Sequence, residues 1–190
     1  MERKDLLRIA DALELKESLE ARQSILDSFG RLKADVPFSR RLNQYIEDWF
    51  DKYSHCFVFV DEDDFDEDDL EGTFKRHTER FLAENKIHIW KGSSSSTIFG
   101  SEQVNWKFRA WHDFIHLTEG FGYDFIGESI VAERQIAMLP ESWLFEKELV
   151  RIEVVGQAQY LSYNGVFVED QRRFTVDYLH YPLGAIRNKQ

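Results

Sequence analysis

The stretch Val104-Asn-Trp-Lys-Phe-Arg-Ala-Trp-His-Asp-Phe-Ile-His-Leu-Thr-Glu119 decides how this chain is read. Val104, Phe108, Trp111 and Ile115 recur at spacings of four, three and four, the period of one face of an α-helix. Asn105, Arg109, His112, His116 and Glu119 follow the same period and so share a neighbouring face. Polar groups beside a core-facing stripe must be hydrogen-bonded, paired or ligated. The spacing predicts a helix over 104–119, closed by Gly120 and Gly122.

Working outward, the same criterion predicts helices over 128–139, 142–163 and 167–180, with Pro140 and Asn164-Gly165 as the breaks. Upstream, Leu6, Leu7, Ala10, Leu13, Leu19, Ile25, Leu26 and Phe29 mark one long amphipathic helix or two short ones within 4–29. Ser39 is placed to cap a helix carrying Leu42, Tyr45, Ile46, Trp49 and Phe50. Cys56-Phe-Val-Phe-Val60 and Lys86-Ile-His-Ile-Trp-Lys91 have strand character and can pair, with a helix from 72 to 86 between them. Gly92 followed by four serines reads as a mobile loop. The expected fold is mainly α, of the α+β kind: a multi-helix bundle with a small two-stranded β element. Residues 1–60 form a helical segment packed on the core, 61–71 an acidic loop and 72–190 the helical domain carrying the site, within one domain overall.

Composition bounds the function. At 190 residues, 43% of them hydrophobic and with 16 phenylalanines, the chain can bury a full core. A single cysteine, Cys56, excludes an internal disulfide and a paired-cysteine zinc site. With no signal-like apolar segment and no run near about 18 apolar residues, a cytoplasmic protein off the membrane is expected. The net charge of −11 argues against duplex nucleic acid as a partner. Nine of the eleven residues from Asp61 to Glu71 are carboxylates, but the segment lacks the glycine and closing glutamate of a calcium-binding EF-hand loop. A solvated loop is the plain reading of it; a DNA-mimicking or partner-capturing surface that competes for a basic groove on a host enzyme is the sharper one.

The chemistry concentrates at His112-Asp113-x-x-His116 and at Gly127-Glu128 downstream. Imidazoles four residues apart on a helix can converge on one ion, and Glu128, at the start of the next helix, can supply a third ligand. Glu153, Gln157 and Glu119 are possible additional ligands, and Gln135 shares a face with Glu128. The competing reading makes His112 and His116 core-edge histidines bonded to carboxylates, with Arg109 satisfied by Glu128. His55 and His88 read as structural, and His77 and His180 as solvated.

The motif resembles the His-Glu-x-x-His signature of zinc peptidases, with a shorter carboxylate, and the run from Glu128 to Pro140 is similar to the second active-site helix of some small members. That likeness implies two histidine ligands and Asp113 as general base. The segment Asn105 to Asp113 with Gly127-Glu128, Glu153-x-x-x-Gln157-x-x-Tyr160 and Phe167-Val-Glu-Asp-Gln171-x-x-Phe174 also resembles a group of small proteins of tailed bacteriophages. It covers the C-terminal half only and implies a viral origin, hence the cytoplasm of an infected bacterium, without a mechanism. The Glu-x-x-His repeats of di-iron bundles are absent, which sets a redox centre aside. The expected function is a metal-dependent hydrolase. His112, His116 and Glu128 would bind zinc, manganese or magnesium, Asp113 would activate water, and Arg109 would stabilise charge, an arginine favouring a phosphoester over a peptide, so that a small-molecule or phosphoester substrate is expected. The alternative is a non-enzymatic acidic phage protein that binds and inhibits a host factor through residues 61–71.

Overall fold

In the computed structural model, which describes residues 23–187, α-helices dominate and one small two-stranded parallel sheet accompanies them. Residues 23–29 are helical (α1); the rest of the 4–29 expectation lies outside the described residues. The Ser39 hydroxyl accepts from the Leu42 amide and starts α2, Arg40–Tyr53, which buries Leu42, Ile46, Trp49 and Phe50. These positions lie at i, i+4, i+7 and i+8, so one face carries the whole apolar load.

A 3-10 turn, Ser54–Cys56, leads into β1, Phe57–Val60. The acidic segment follows, and it is not wholly a loop. The Asp69 carboxylate accepts from the Gly72 amide and caps α3, so Leu70 and Glu71 already belong to that helix, Leu70–Glu84. Asn85, in the left-handed region at φ 53°, ends it and turns the chain into β2, Ile87–Trp90. β2 lies parallel to β1, with Phe57 opposite Ile87 and Val60 opposite Trp90. Parallel strands need a crossover, and α3 is that crossover.

α4, Glu102–Glu119, is the hub, touching α2, α3, β2 and α5. Its Trp111 is fully buried, with the Tyr45 and Trp49 rings at 5.4 and 6.0 Å. Gly120, at φ 78°, closes α4, and five residues later α5 begins, Phe125–Met138, capped by the Asp124 carboxylate. Gly127 is required in that first turn: a Cβ there would sit 1.8 Å from the Gly122 carbonyl oxygen. The tight approach fixes where Glu128 emerges.

The helix expected over 142–163 is interrupted. α6, Leu144–Arg151, passes through a π-turn, Ile152–Gly156, into α7, Gln157–Asn164. α8 starts at Gln171, later than the 167 expected, because the Asp170 side chain caps it; it runs to His180 and is followed by α9, Pro182–Arg187. The main core joins α2, both strands, α4, α5 and α6, while Ile152, Tyr160, Val168, Phe174 and Ala185 form a second cluster under the C-terminal helices. Arg172 ties α8 to the 33–36 connection by donating to the carbonyls of Lys33, Ala34, Val36 and Thr97, its guanidinium lying on Phe38. No helix among the described residues is long and apolar enough to cross a membrane.

Candidate metal centre

α4 and α5 bring His112, His116 and Glu128 together, their ligand atoms all within 4.8 Å of one another. Each imidazole is oriented from behind. His116, fully buried, donates its Nδ1 proton to the Phe121 carbonyl at 2.8 Å, and His112 donates from Nδ1 to Gln135 Oε1 at 3.1 Å. A carbonyl oxygen only accepts, so Nδ1 carries the proton and Nε2 presents a lone pair when either ring is neutral. The two Nε2 atoms face each other at 2.9 Å. Glu128 spans them, 3.0 Å from His112 Nε2 and 3.4 Å from His116 Nε2.

Two lone pairs and a carboxylate pointing at one spot repel unless a positive charge lies among them. A proton supplies that charge in one state. The His112 imidazole is raised from 6.5 to about 9: burial opposes its charge, but the Glu128 carboxylate outweighs burial. Glu128 is pulled from 4.5 down to about 2, burial being overcome by the His112 charge and the bonds to both rings. A metal ion is the other way to supply the charge, and the group can hold one. Tetrahedral ligands at roughly 2.0 Å lie roughly 3.3 Å apart, so the nitrogens need open by only a few tenths of an ångström.

Asp113 faces a cleft lined also by His77, Arg80, Lys86, Ile87, His88 and Leu117. Burial drives its carboxyl above the ordinary carboxylate range, helped by the negative Glu128, while His112, His116 and His77 draw it partly back. Asp113 is thus a basic carboxylate within electrostatic reach of His112, His116 and Glu128.

Arg109 is elsewhere. Its guanidinium donates to the carbonyls of Trp90, Gly92 and Ser93 and lies over the Trp90 ring. Its hydrogen bonds therefore go to the serine loop, it makes no ion pair with Glu128, and the charge of Asp113 acts on it from the side of the histidines. That loop, expected to be mobile, is also held by Asn105 donating to Ser94 Oγ and Trp106 donating to the Lys91 carbonyl.

Glu153, in the π-turn, is buried apart from the triad. It accepts from Thr175 and Gln157, and burial lifts its carboxyl to about 8 against those two hydrogen bonds. Gln157 is thereby committed to Glu153, and Glu119 to Arg134 at 3.0 Å on the surface. None of the three belongs to the group of converging ligands.

Sequence reasoning missed Tyr123. Its ring packs on His116 at 4.9 Å and its hydroxyl meets His77 Nδ1 at 2.9 Å, while His77 Nε2 meets Asp64 at 3.1 Å. Burial, and after it the charges of Asp113 and Glu128, hold the Tyr123 hydroxyl well above the usual phenol range, so it stays protonated. His77, expected to be solvated, is thus mostly covered and bonded on both nitrogens. Only its position on α3 signalled this, since its partners lie 13 and 46 residues away. No family model, curated protein or solved structure matches the chain.

Proposed function

We propose that this protein is a metal-dependent hydrolase acting on a phosphoester. The observation that carries the reading is the pair of Nε2 lone pairs, each fixed by a proton donated from the opposite ring nitrogen, closing on one carboxylate. Two imidazoles with one carboxylate favour zinc over the oxygen-seeking magnesium, with manganese between them. The ion would polarise a phosphoryl oxygen and make water acidic enough to attack near neutral pH. Asp113 would take the proton from the water as its oxygen bonds to phosphorus, and the ester oxygen would depart on the opposite side with its electron pair and take a proton from solvent. Tyr123 shields His116 and remains a hydrogen-bond donor at the edge of the centre. Arg109 positions the chain at 90–93.

A second reading, a non-enzymatic partner-binding protein, draws on the exposed carboxylates at 61–63 and 66–69. Against it, Asp61 pairs with Lys91 and Asp64 with His77 and Arg80. The deciding experiment is metal analysis of protein purified without a nickel column, followed by hydrolysis of bis(p-nitrophenyl) phosphate by the zinc- and manganese-loaded forms. About one equivalent of metal, lost in the His112→Ala/His116→Ala variant together with hydrolysis, is the expected result. Metal binding without turnover in wild type, or turnover that survives Asp113→Asn, disposes of the mechanism.

A further inference from the structure

The cleft beside Asp113 is built from basic side chains. α3 supplies His77 and Arg80, the chain around the start of β2 supplies Lys86 and His88, and Asp113 closes it from α4. In a chain of net charge −11, four basic groups around one cleft run against composition. The four are unequally partnered. His88 has Glu84 at 3.4 Å, whereas Lys86 donates to the His55 carbonyl and meets no carboxylate among the described residues. Arg80 and His77 share one carboxylate, that of Asp64, which reaches in from the acidic segment.

Asp64 is held there from both sides. The Lys91–Asp61 pair, at 2.6 Å, and the Trp90 indole donating to the Asp61 carbonyl fix the segment before it. The Phe65 ring on Tyr123, at 5.4 Å, fixes the residue after it. With the segment so placed, the cleft has a volume of about 10 Å³, room for about one water. An anion that takes Arg80 and His77 as its partners must displace Asp64 from them. Partial burial pushes the Asp64 carboxyl up, but the hydrogen bond from Arg80 and the charges of His77 and Arg80 prevail and hold it below its ordinary value. It therefore stays an anion over the working pH range.

We propose that Arg80 and His77, with Lys86 at the same cleft, form a binding subsite for a tetrahedral phosphate group, and that Asp64 is the internal anion which the phosphate displaces. The arginine fork and the imidazole edge suit two oxygens of one phosphate, and Lys86 adds a point charge. As the substrate's subsite, the cleft rests on the hydrolase reading. As an anion site, it stands on its own geometry. The acidic segment then competes with substrate for the same cations, and its carboxylates turn away anions that bind them weakly.

The test uses inorganic phosphate and the full chain stripped of metal, titrated calorimetrically at constant ionic strength. Asp64→Asn removes the internal anion and should bind phosphate at least several-fold more tightly than wild type. Adding Arg80→Gln to that variant should abolish the gain, and acetate should bind less well than phosphate. Equal phosphate affinity in wild type and Asp64→Asn, or a gain that survives Arg80→Gln, overturns the proposal. If Asp64→Asn folds poorly, wild type decides: phosphate must shift the ring resonances of His77, assigned by their loss in His77→Gln, and unmoved resonances are fatal. The His112→Ala/His116→Ala variant separates the two readings, since it should lose metal yet keep phosphate. Phosphate binding in a wild type that takes up no metal would retire the hydrolase and leave the anion site standing.

Discussion

His116 gives its Nδ1 proton to the Phe121 carbonyl at 2.8 Å, and this one bond determines what its other nitrogen can do toward His112, 2.9 Å away. Nε2 is left as a lone pair, so the contact between the rings needs a shared proton or a shared metal. The carbonyl belongs to the 120–124 loop, which Gly120 and Gly127 allow to be tight. A backbone constraint thus sets the tautomer of a buried imidazole, and the tautomer sets the chemistry available at the centre.

Gln135 plays the corresponding part for His112, and its removal should be felt by the metal more than by the fold. Gln135→Leu keeps the volume but deletes the acceptor of the His112 Nδ1 proton, and zinc affinity should fall by about 10–100-fold. Competition against a zinc-chelating dye reads this directly. Unchanged affinity would mean that His112 does not ligate through Nε2.

Gly127→Ala tests the link between the loop and the ligand. A Cβ at 127 collides with the Gly122 carbonyl, whereas one at Gly122 meets nothing within 4 Å. Overpacking against backbone should cost about 1–3 kcal/mol in urea denaturation and displace Glu128, lowering metal affinity as well. Gly122→Ala is the control and should do neither. Equal effects of the two substitutions would detach the position of Glu128 from this contact.

The helix over 104–119 was legible because two stripes of one period run along it, and Glu128 could be matched to the histidines because it opens the following helix. Ser39 was readable as a cap from residue type alone. What escaped the sequence is tertiary. The direction of the Arg109 side chain depends on where the chain at 90–93 passes, and nothing in the local pattern of α4 encodes that. Asp64 looked like any other member of an acidic run, and only the crossover through α3 brings Arg80 and His77 to it. The pattern over 142–163 places Glu153 on an unbroken helical face, whereas the π-turn at 152–156 shifts the register and Glu153 is buried among Thr175 and Gln157.

Arg109→Met separates a positioning arginine from one that acts on substrate. The variant keeps the aliphatic stem but leaves the carbonyls of Trp90, Gly92 and Ser93 without their charged donor, which should cost about 1.5–3 kcal/mol. Metal content should stay near one equivalent. A variant as stable as wild type in urea, with hydrolysis lost, would instead return Arg109 to a role in charge stabilisation.

The pH dependence of the metal centre follows from its proton. Two free imidazoles would place competition between proton and metal near about 6.5, but burial opposed by the stronger pull of Glu128 raises His112 from 6.5 to about 9. A raised imidazole contributes stability that is complete below its unfolded value and is lost as pH rises through the folded one. Glu128, lowered from 4.5 to about 2, contributes above 4.5 and loses that contribution as pH falls toward 2. Protein treated with a chelator should therefore gain most from this pair between 4.5 and 6.5, and should lose that gain as pH climbs toward about 9. Zinc runs the other way, because the ion must displace the His112 proton. Below about 9 its affinity should rise about tenfold per pH unit. Thermal melts with zinc and with chelator, taken in steps from pH 6 to pH 9, should show a metal-induced rise in Tm that grows at each step. A rise of constant size across that range would mean that no proton leaves when metal binds, and would remove His112 from the ligand set.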